Sequence, residues 1–271
     1  NDSLAQSAYY ILGDSYIKTD QKRFAYNSFF AAQKIKADPK IQEDALLNYA
    51  KLAIDLSYNP YNEAVKAIQD FINAYPKSEK VDEFYGYLAD IYMLTRNYKD
   101  ALESIKLIKK RTPRIDAAQQ RISYFRGVEL FNEQNFTKAI ENFNTSRDLN
   151  TDKAIAAASQ YWAGESYYRM NKWDKAADAF TDFQTMQGAA RQPFYNAAAY
   201  HAGYCYFKQK AWSQAAASFR KYINSTDDNV KMKGDASLRI ADCYFMVKDY
   251  SQAINFYKKA INYRVTDADY A

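Results

Sequence analysis

The chain of 271 residues carries 37 Lys and Arg against 32 Asp and Glu, and its net charge of +5 is small for the length and mostly interleaved, without the large single-sign excess of a protein built to hold a polyanion. Apolar residues are spread evenly, and no run approaches the ~20 consecutive apolar residues that a membrane-crossing helix needs. One histidine and two cysteines put most catalytic and metal-binding constellations out of reach.

In chain order the hydrophobic periodicity predicts seven helix pairs: 4–19 with 22–37, 41–57 with 61–75, 81–95 with 98–111, 115–133 with 136–148, 152–170 with 173–186, 190–209 with 212–224, and 229–247 with 250–263. Pro39, Pro76, Pro113 and Pro193 stand at the junctions between pairs, and Pro60 lies in the turn within the second. The clearest polar loop runs from Asn224 to Asn229. No linker divides the series, so residues 1–271 read as a single array.

The pairs are copies of one another. The fifth, from Tyr161 to Phe180, shows the grammar best: a landmark Ala176, an aromatic three residues before it, and a large apolar residue four after it. The landmark alanines are Ala25, Ala64, Ala101, Ala139, Ala176, Ala215 and Ala253, at steps of 37 to 39 residues. Twelve residues before the landmark, on the first helix of each pair, stand Gly13, Ala89, Gly127, Gly164, Gly203 and Ala241, with Ala53 one residue closer in the second pair. Glycine within a helix costs about 1 kcal/mol relative to alanine; its recurrence points to close approach of the two helices of a pair. A fixed period of this size means stacked repeats, each too small to fold alone.

Small residue, tyrosine, aromatic, alanine and large apolar residue at these offsets resemble the tetratricopeptide repeat, over residues 4 to 263. The period is about 38 where the family usually has ~34. Phe71, Tyr75, Pro76 and Ser78 form a Phe-x-x-x-Tyr-Pro-x-Ser pattern, similar to repeats of bacterial envelope proteins such as the outer-membrane assembly lipoproteins and the periplasmic coordinator of the Tol-Pal system. The resemblance implies an all-α fold, a right-handed superhelical α-solenoid of about seven helix-turn-helix repeats, with a periplasmic or outer-membrane-associated location.

In the resembling family the first helices line a concave groove, at fixed offsets before the landmark alanine. Those offsets fall here on Tyr124 and Phe131, on Tyr161, Glu165, Tyr168 and Arg169, on Tyr200, Tyr204 and Phe207, and on Phe245. The family's clamp for acidic tails needs lysine, asparagine and arginine at these places, and tyrosine, glutamate and aspartate replace them here. Exposed tyrosines offer large contact area with few rotors to freeze. The expected function is therefore a non-catalytic scaffold that holds a protein or peptide partner in an aromatic-lined groove. The alternative is glycan binding on the same surface. No cofactor and no nucleic acid is expected.

Other features point the same way. Cys205 and Cys243 are one period apart, so equivalent points ~8–10 Å apart lie beyond disulfide reach. His201 reads as a partly exposed filler. Lys106, Lys109, Lys110, Arg111, Arg114, Arg121 and Arg126 are opposed within their stretch only by Asp116 and read as a solvated ridge. Asp267 to Ala271 resemble the start of a further first helix, and Ile254, Tyr257 and Ile261 would leave an apolar edge; both features predict a longer protein, or another chain over this edge.

Overall fold

A computed structural model describes residues 2–56 and 63–263, apart from the side chains of Ile54 and Glu63. Tyr61 and Pro60, and the further helix expected from Asp267, lie outside the described residues. Among the described residues there are fourteen α-helices and no strand. They are α1 (Asp2–Lys18), α2 (Lys22–Lys34), α3 (Pro39–Leu56), α4 (Glu63–Ala74), α5 (Val81–Leu94), α6 (Tyr98–Lys106), α7 (Pro113–Asn132), α8 (Phe136–Leu149), α9 (Lys153–Arg169), α10 (Trp173–Thr185), α11 (Ala197–Lys208), α12 (Trp212–Ile223), α13 (Val230–Met246) and α14 (Tyr250–Asn262). The chain forms two compact units, Asn1–Ala118 and Gln119–Ala271, where the sequence reads as one array. Within each unit, neighbouring helices in the chain are neighbours in space: α1 to α6 in the first, α8 to α14 in the second.

The repeated residues meet one another. Ala25, Ala64, Ala101, Ala139, Ala176 and Ala215 are fully buried and Ala253 nearly so. Each recurring glycine lies against the phenyl ring four residues past its landmark alanine. A Cβ added at Gly13, Gly127, Gly164 or Gly203 would stand 2.9, 2.6, 3.0 or 2.8 Å from the ring of Phe29, Phe143, Phe180 or Phe219. In the other three repeats the large residue is Ile68, Ile105 or Tyr257, and the small one is Ala53, Ala89 or Ala241. Small and large residues thus alternate across the helix pair to fill one volume.

The turns are equally regular. Asp20, Arg96, Gln134, Asn171, Lys210 and Lys248 have φ between 57° and 63°, each five residues before its landmark alanine. The left-handed residue lets the next N–H reach back to the first helix. Asn97 N–H bonds to the Tyr92 carbonyl at 2.7 Å and Ala211 N–H to that of Tyr206 at 2.9 Å. Orphan carbonyls of the helix end are satisfied in this way.

Several junctions are held by a polar side chain nineteen residues before the landmark. Gln6 is fully buried. Its Nε2 donates to the Ile35 carbonyl at 2.6 Å, and its Oε1 accepts from Asp38 N–H at 2.7 Å. Gln120, also fully buried, donates to the Asp152 carbonyl at 2.9 Å and accepts from Asp152 N–H at 2.7 Å. Asp38 and Asp152 in turn cap the helices that follow, through Lys40 N–H at 2.8 Å and Ala154 N–H at 2.8 Å. In the third repeat Asp82 occupies the slot and accepts from Lys109 and Lys110 N–H at 2.9 and 2.6 Å.

That last contact corrects a predicted boundary: Asp82 draws the backbone out of the helix, so α6 stops at Lys106 rather than running to 111. A second correction falls at α11, which starts at Ala197 rather than 190. The intervening chain instead folds onto α9. Gly188 has φ +90°, in a place where a Cβ would meet the Lys153 carbonyl carbon at 2.8 Å; Gln192 Nε2 donates to the Ala154 carbonyl at 3.0 Å, and Phe194 stacks on Tyr161 at 4.1 Å. At α14, Ile254 is 55% exposed, whereas Ile140, Ala177 and Ala216 at the matching place in earlier repeats are buried.

Candidate partner-binding surface

The second unit presents an aromatic ladder. Phe131, Tyr168, Phe207 and Phe245 all lie eight residues before their landmark alanine, close to the C-terminal ends of α7, α9, α11 and α13. Each meets edge-on the aromatic that opens the second helix of its pair. The centroid distances are 5.4 Å for Phe131 with Phe136, 4.9 Å for Tyr168 with Trp173, 5.2 Å for Phe207 with Trp212, and 5.7 Å for Phe245 with Tyr250. Such pairs contribute ~0.5–1.5 kcal/mol beyond burial, enough to fix the rings without hiding them. Phe131, Tyr168 and Phe207 are half-buried, while Phe245, Met246 and Val247 are more than half exposed. Arg169 is exposed beside Tyr168.

The other residues expected at the surface lie deeper. Tyr161 is buried beneath Phe194, and Glu165 is buried with its Oε1 2.5 Å from His201 Nδ1. Burial, then the Glu165 carboxylate, raises the Tyr161 phenol above its ordinary range. Little of either side chain is left for a partner. Tyr124 is half-buried against Phe143. Tyr200 and Tyr204 are half-buried as well, and their hydroxyls both donate to Asp235 Oδ2, at 2.7 and 2.5 Å. Burial and the Asp235 bond push Tyr204 up to about 12 and raise Tyr200 as well.

Asp235 belongs to a network that the periodicity did not flag. Arg239 Nε lies 3.5 Å from Asp235, and its Nη1 donates to Asp242 at 2.8 Å. Tyr257 also donates to Asp242, at 3.0 Å, and the guanidinium lies 6.0 Å from the Phe207 ring. Burial works against the Arg239 charge, but Tyr204, Asp235 and Asp242 outweigh it and raise its affinity for the proton. These carboxylates join α11, α13 and α14 and hold the tyrosines in place. Asp44 does the same for Tyr10 in the first unit, and that hydrogen bond, with burial, pushes the Tyr10 phenol up to about 12.

His201 is therefore more than a filler, since it makes a polar contact with Glu165 across α9 and α11. Both cysteines are free and buried, and burial pushes each thiol up to about 12. No group of three potential metal ligands occurs among the described residues, nor does any helix long and apolar enough to cross a membrane. In the basic stretch, Lys106 pairs with Glu103 at 2.8 Å, Arg111 with Asp116 at 2.5 Å, Arg114 with Asp90 at 2.9 Å, and Arg126 with Glu129. Four of the seven cations are thus met by carboxylates, and three of those acids, Glu103, Asp90 and Glu129, are ones that the linear count missed.

Two family models described as tetratricopeptide repeat match the chain, one at residues 124–189 and 163–230, the other at 44–78 and 235–264. No curated protein is similar enough to count as a relative. Among solved structures, BtubC (BKLC) from P. vanneervenii is similar at TM-score 0.50, with 10% identity over 83% of this chain and 90% of that one. This is a likeness of fold. A tetratricopeptide repeat protein from Parabacteroides merdae aligns at TM-score 0.42 with 14% identity over 97% of this chain and 94% of that one. The TPR2AB domain of yeast Sti1, in complex with pHSP90, aligns at 0.46 with 18% identity over 99% and 93%.

Proposed function

Since the chain belongs to the tetratricopeptide repeat family, we propose that it is a non-catalytic scaffold whose second unit grips a segment of a partner protein along the aromatic ladder. The observation that carries this reading is the recurrence of one half-open ring in four successive repeats, at Phe131, Tyr168, Phe207 and Phe245. Each ring is braced edge-on by a second aromatic and so loses little freedom on binding. Phe245, Met246 and Val247 add an exposed apolar run at the end of the row. Arg169 and Lys208, next to Tyr168 and Phe207, supply charge at the rim. An extended or helical segment with apolar residues at regular spacing fits such a row.

The test is selection from a random-peptide library followed by affinity measurement. Selected peptides are expected to bind Tyr168→Ala and Phe207→Ala at least tenfold more weakly than the parent protein at a temperature where both variants, though less stable, retain the parent's helical content. A library that yields no binders, or binders indifferent to both substitutions, would overturn the reading. Oligosaccharides measured in parallel distinguish glycan binding on the same rings.

A further inference from the structure

A second feature lies between α12, α13 and α14 of the last two repeats. A cleft of about 470 Å³ is lined by Arg220, Ile223 and Asn224 of α12 and the adjoining turn, by Ser237 of α13, and by Phe256, Lys259, Asn262 and Tyr263 at α14. Phe256 is buried and forms the floor. Two cations stand over its ring, the Arg220 guanidinium at 5.2 Å and the Lys259 ammonium at 4.5 Å. Among the described residues no carboxylate lines the cleft and neither cation is ion-paired.

Two like charges over one ring repel each other, and the ring quadrupole offsets this only in part. An oxyanion held by both cations would relieve the repulsion, and Asn224 and Asn262 line the same cleft with carboxamide donors. The Arg220 fork is suited to a carboxylate.

The cleft does not end at Arg220. A second cleft of about 160 Å³ shares that residue and continues past Trp212, Ala216, Ala217, Tyr244 and Val247. Its lining is mainly apolar, Val247 is 51% exposed, and Arg220 Nη2 donates to the Tyr244 hydroxyl on the wall between the two clefts. A small anion fills only the first cleft. A ligand that fills both carries acidic and apolar groups within a few residues of each other, as a peptide does.

We propose that this double cleft is a docking site for an acidic peptide segment, its carboxylates between Arg220 and Lys259 and an adjoining apolar side chain against Trp212 and Val247. The apolar end of the site borders the ladder at Trp212 and Val247, but Arg220 and Lys259 lie outside it, so substitution of the two cations tests this proposal separately from the ladder.

The experiment is fluorescence anisotropy on the full chain with labelled nonapeptides in a Gly-Ser frame. One carries Glu-Glu-Leu-Leu, a second Gln-Gln-Leu-Leu and a third Glu-Glu-Ser-Ser. The first is expected to bind at least tenfold more tightly than either of the others, and to weaken as salt rises. Arg220→Gln and Lys259→Gln, both on exposed side chains, should each weaken it at least tenfold with an unchanged melting temperature, while Tyr168→Ala leaves it unaffected. Lys259→Gln alone decides the matter if Arg220→Gln disturbs the packing of Tyr244. Absence of binding, equal binding of the Gln-Gln peptide, indifference to both substitutions, or displacement by inorganic pyrophosphate at the same concentration as by unlabelled Glu-Glu-Leu-Leu would overturn the proposal.

Discussion

Gly203→Ala sets two opposed effects against each other at one atom. Alanine is the better helix former by about 1 kcal/mol, so a helix considered alone gains. The new Cβ, however, would stand 2.8 Å from two ring carbons of Phe219, a side chain with no exposed surface. A ring enclosed on every side cannot swing away, and overpacking of this kind costs ~1–3 kcal/mol. The expected net effect is a loss of ~0–2 kcal/mol, at most a few degrees of melting temperature for a chain of this size. Phe219→Ile copies the Ala89 and Ile105 pairing of the third repeat, and in that background the same Gly203→Ala change should become neutral or stabilising. Urea unfolding of the four proteins in a double-mutant cycle reads the sign directly. If Gly203→Ala stabilises the parent by 0.5 kcal/mol or more, as the ~1 kcal/mol propensity difference alone predicts, the packing argument for the recurring glycines is refuted.

Gln120→Ala removes the side chain that closes the junction at Asp152 and is expected to cost ~1–3 kcal/mol by leaving buried polar groups unpaired; a change under half of that in urea unfolding would show the junction to be held otherwise. Cys205 and Cys243, both buried with thiols pushed up to about 12, should not react with a disulfide reagent at pH 8 until the protein unfolds, and a fast reaction of the native chain would contradict the packing. The tyrosines give an alkaline signature. The folded state holds Tyr10 and Tyr204 neutral up to about 12 against an ordinary 10.0. Their contribution is therefore full below pH 10 and is lost as pH rises from 10 through about 12. Tyr204→Phe should flatten that fall in stability, and an unchanged slope would show that Asp235 does not hold the phenol.

Much of the fold was legible because it repeats. The landmark alanines, the small residues and the large apolar residues four past each landmark occupy fixed offsets, and in the four glycine repeats the glycine and the phenylalanine are the residues that touch. The left-handed turn residue at Lys210 and its counterparts was not legible by type, since Asp, Arg, Gln, Asn and Lys all fill the slot; only its position repeats. Non-local backbone capture hid two boundaries. Asp82 shortens α6 through Lys109 and Lys110, and Gln192 and Phe194 bind the chain ahead of α11 to α9. At the surface, the groove offsets of the resembling family fell on Phe131, Tyr168, Phe207 and Phe245 together with residues that lie deeper. They did not reveal that Tyr161 and Glu165 lie beneath Phe194 and beside His201, because a side chain that comes from an irregular loop leaves no periodic trace. Asp235 was missed because among the other repeats only the third carries an acid at its offset, Glu83, which is too sparse to stand out as a period.

The most direct test of the scaffold reading is photocrosslinking at the ladder itself. With benzoylphenylalanine placed at Phe207, at Phe245 or, as a control, at the exposed Lys138 of α8, a library-selected peptide should crosslink from the two ladder positions and not from the control. Crosslinks that appear equally at all three places, or from Lys138 alone, would contradict the account.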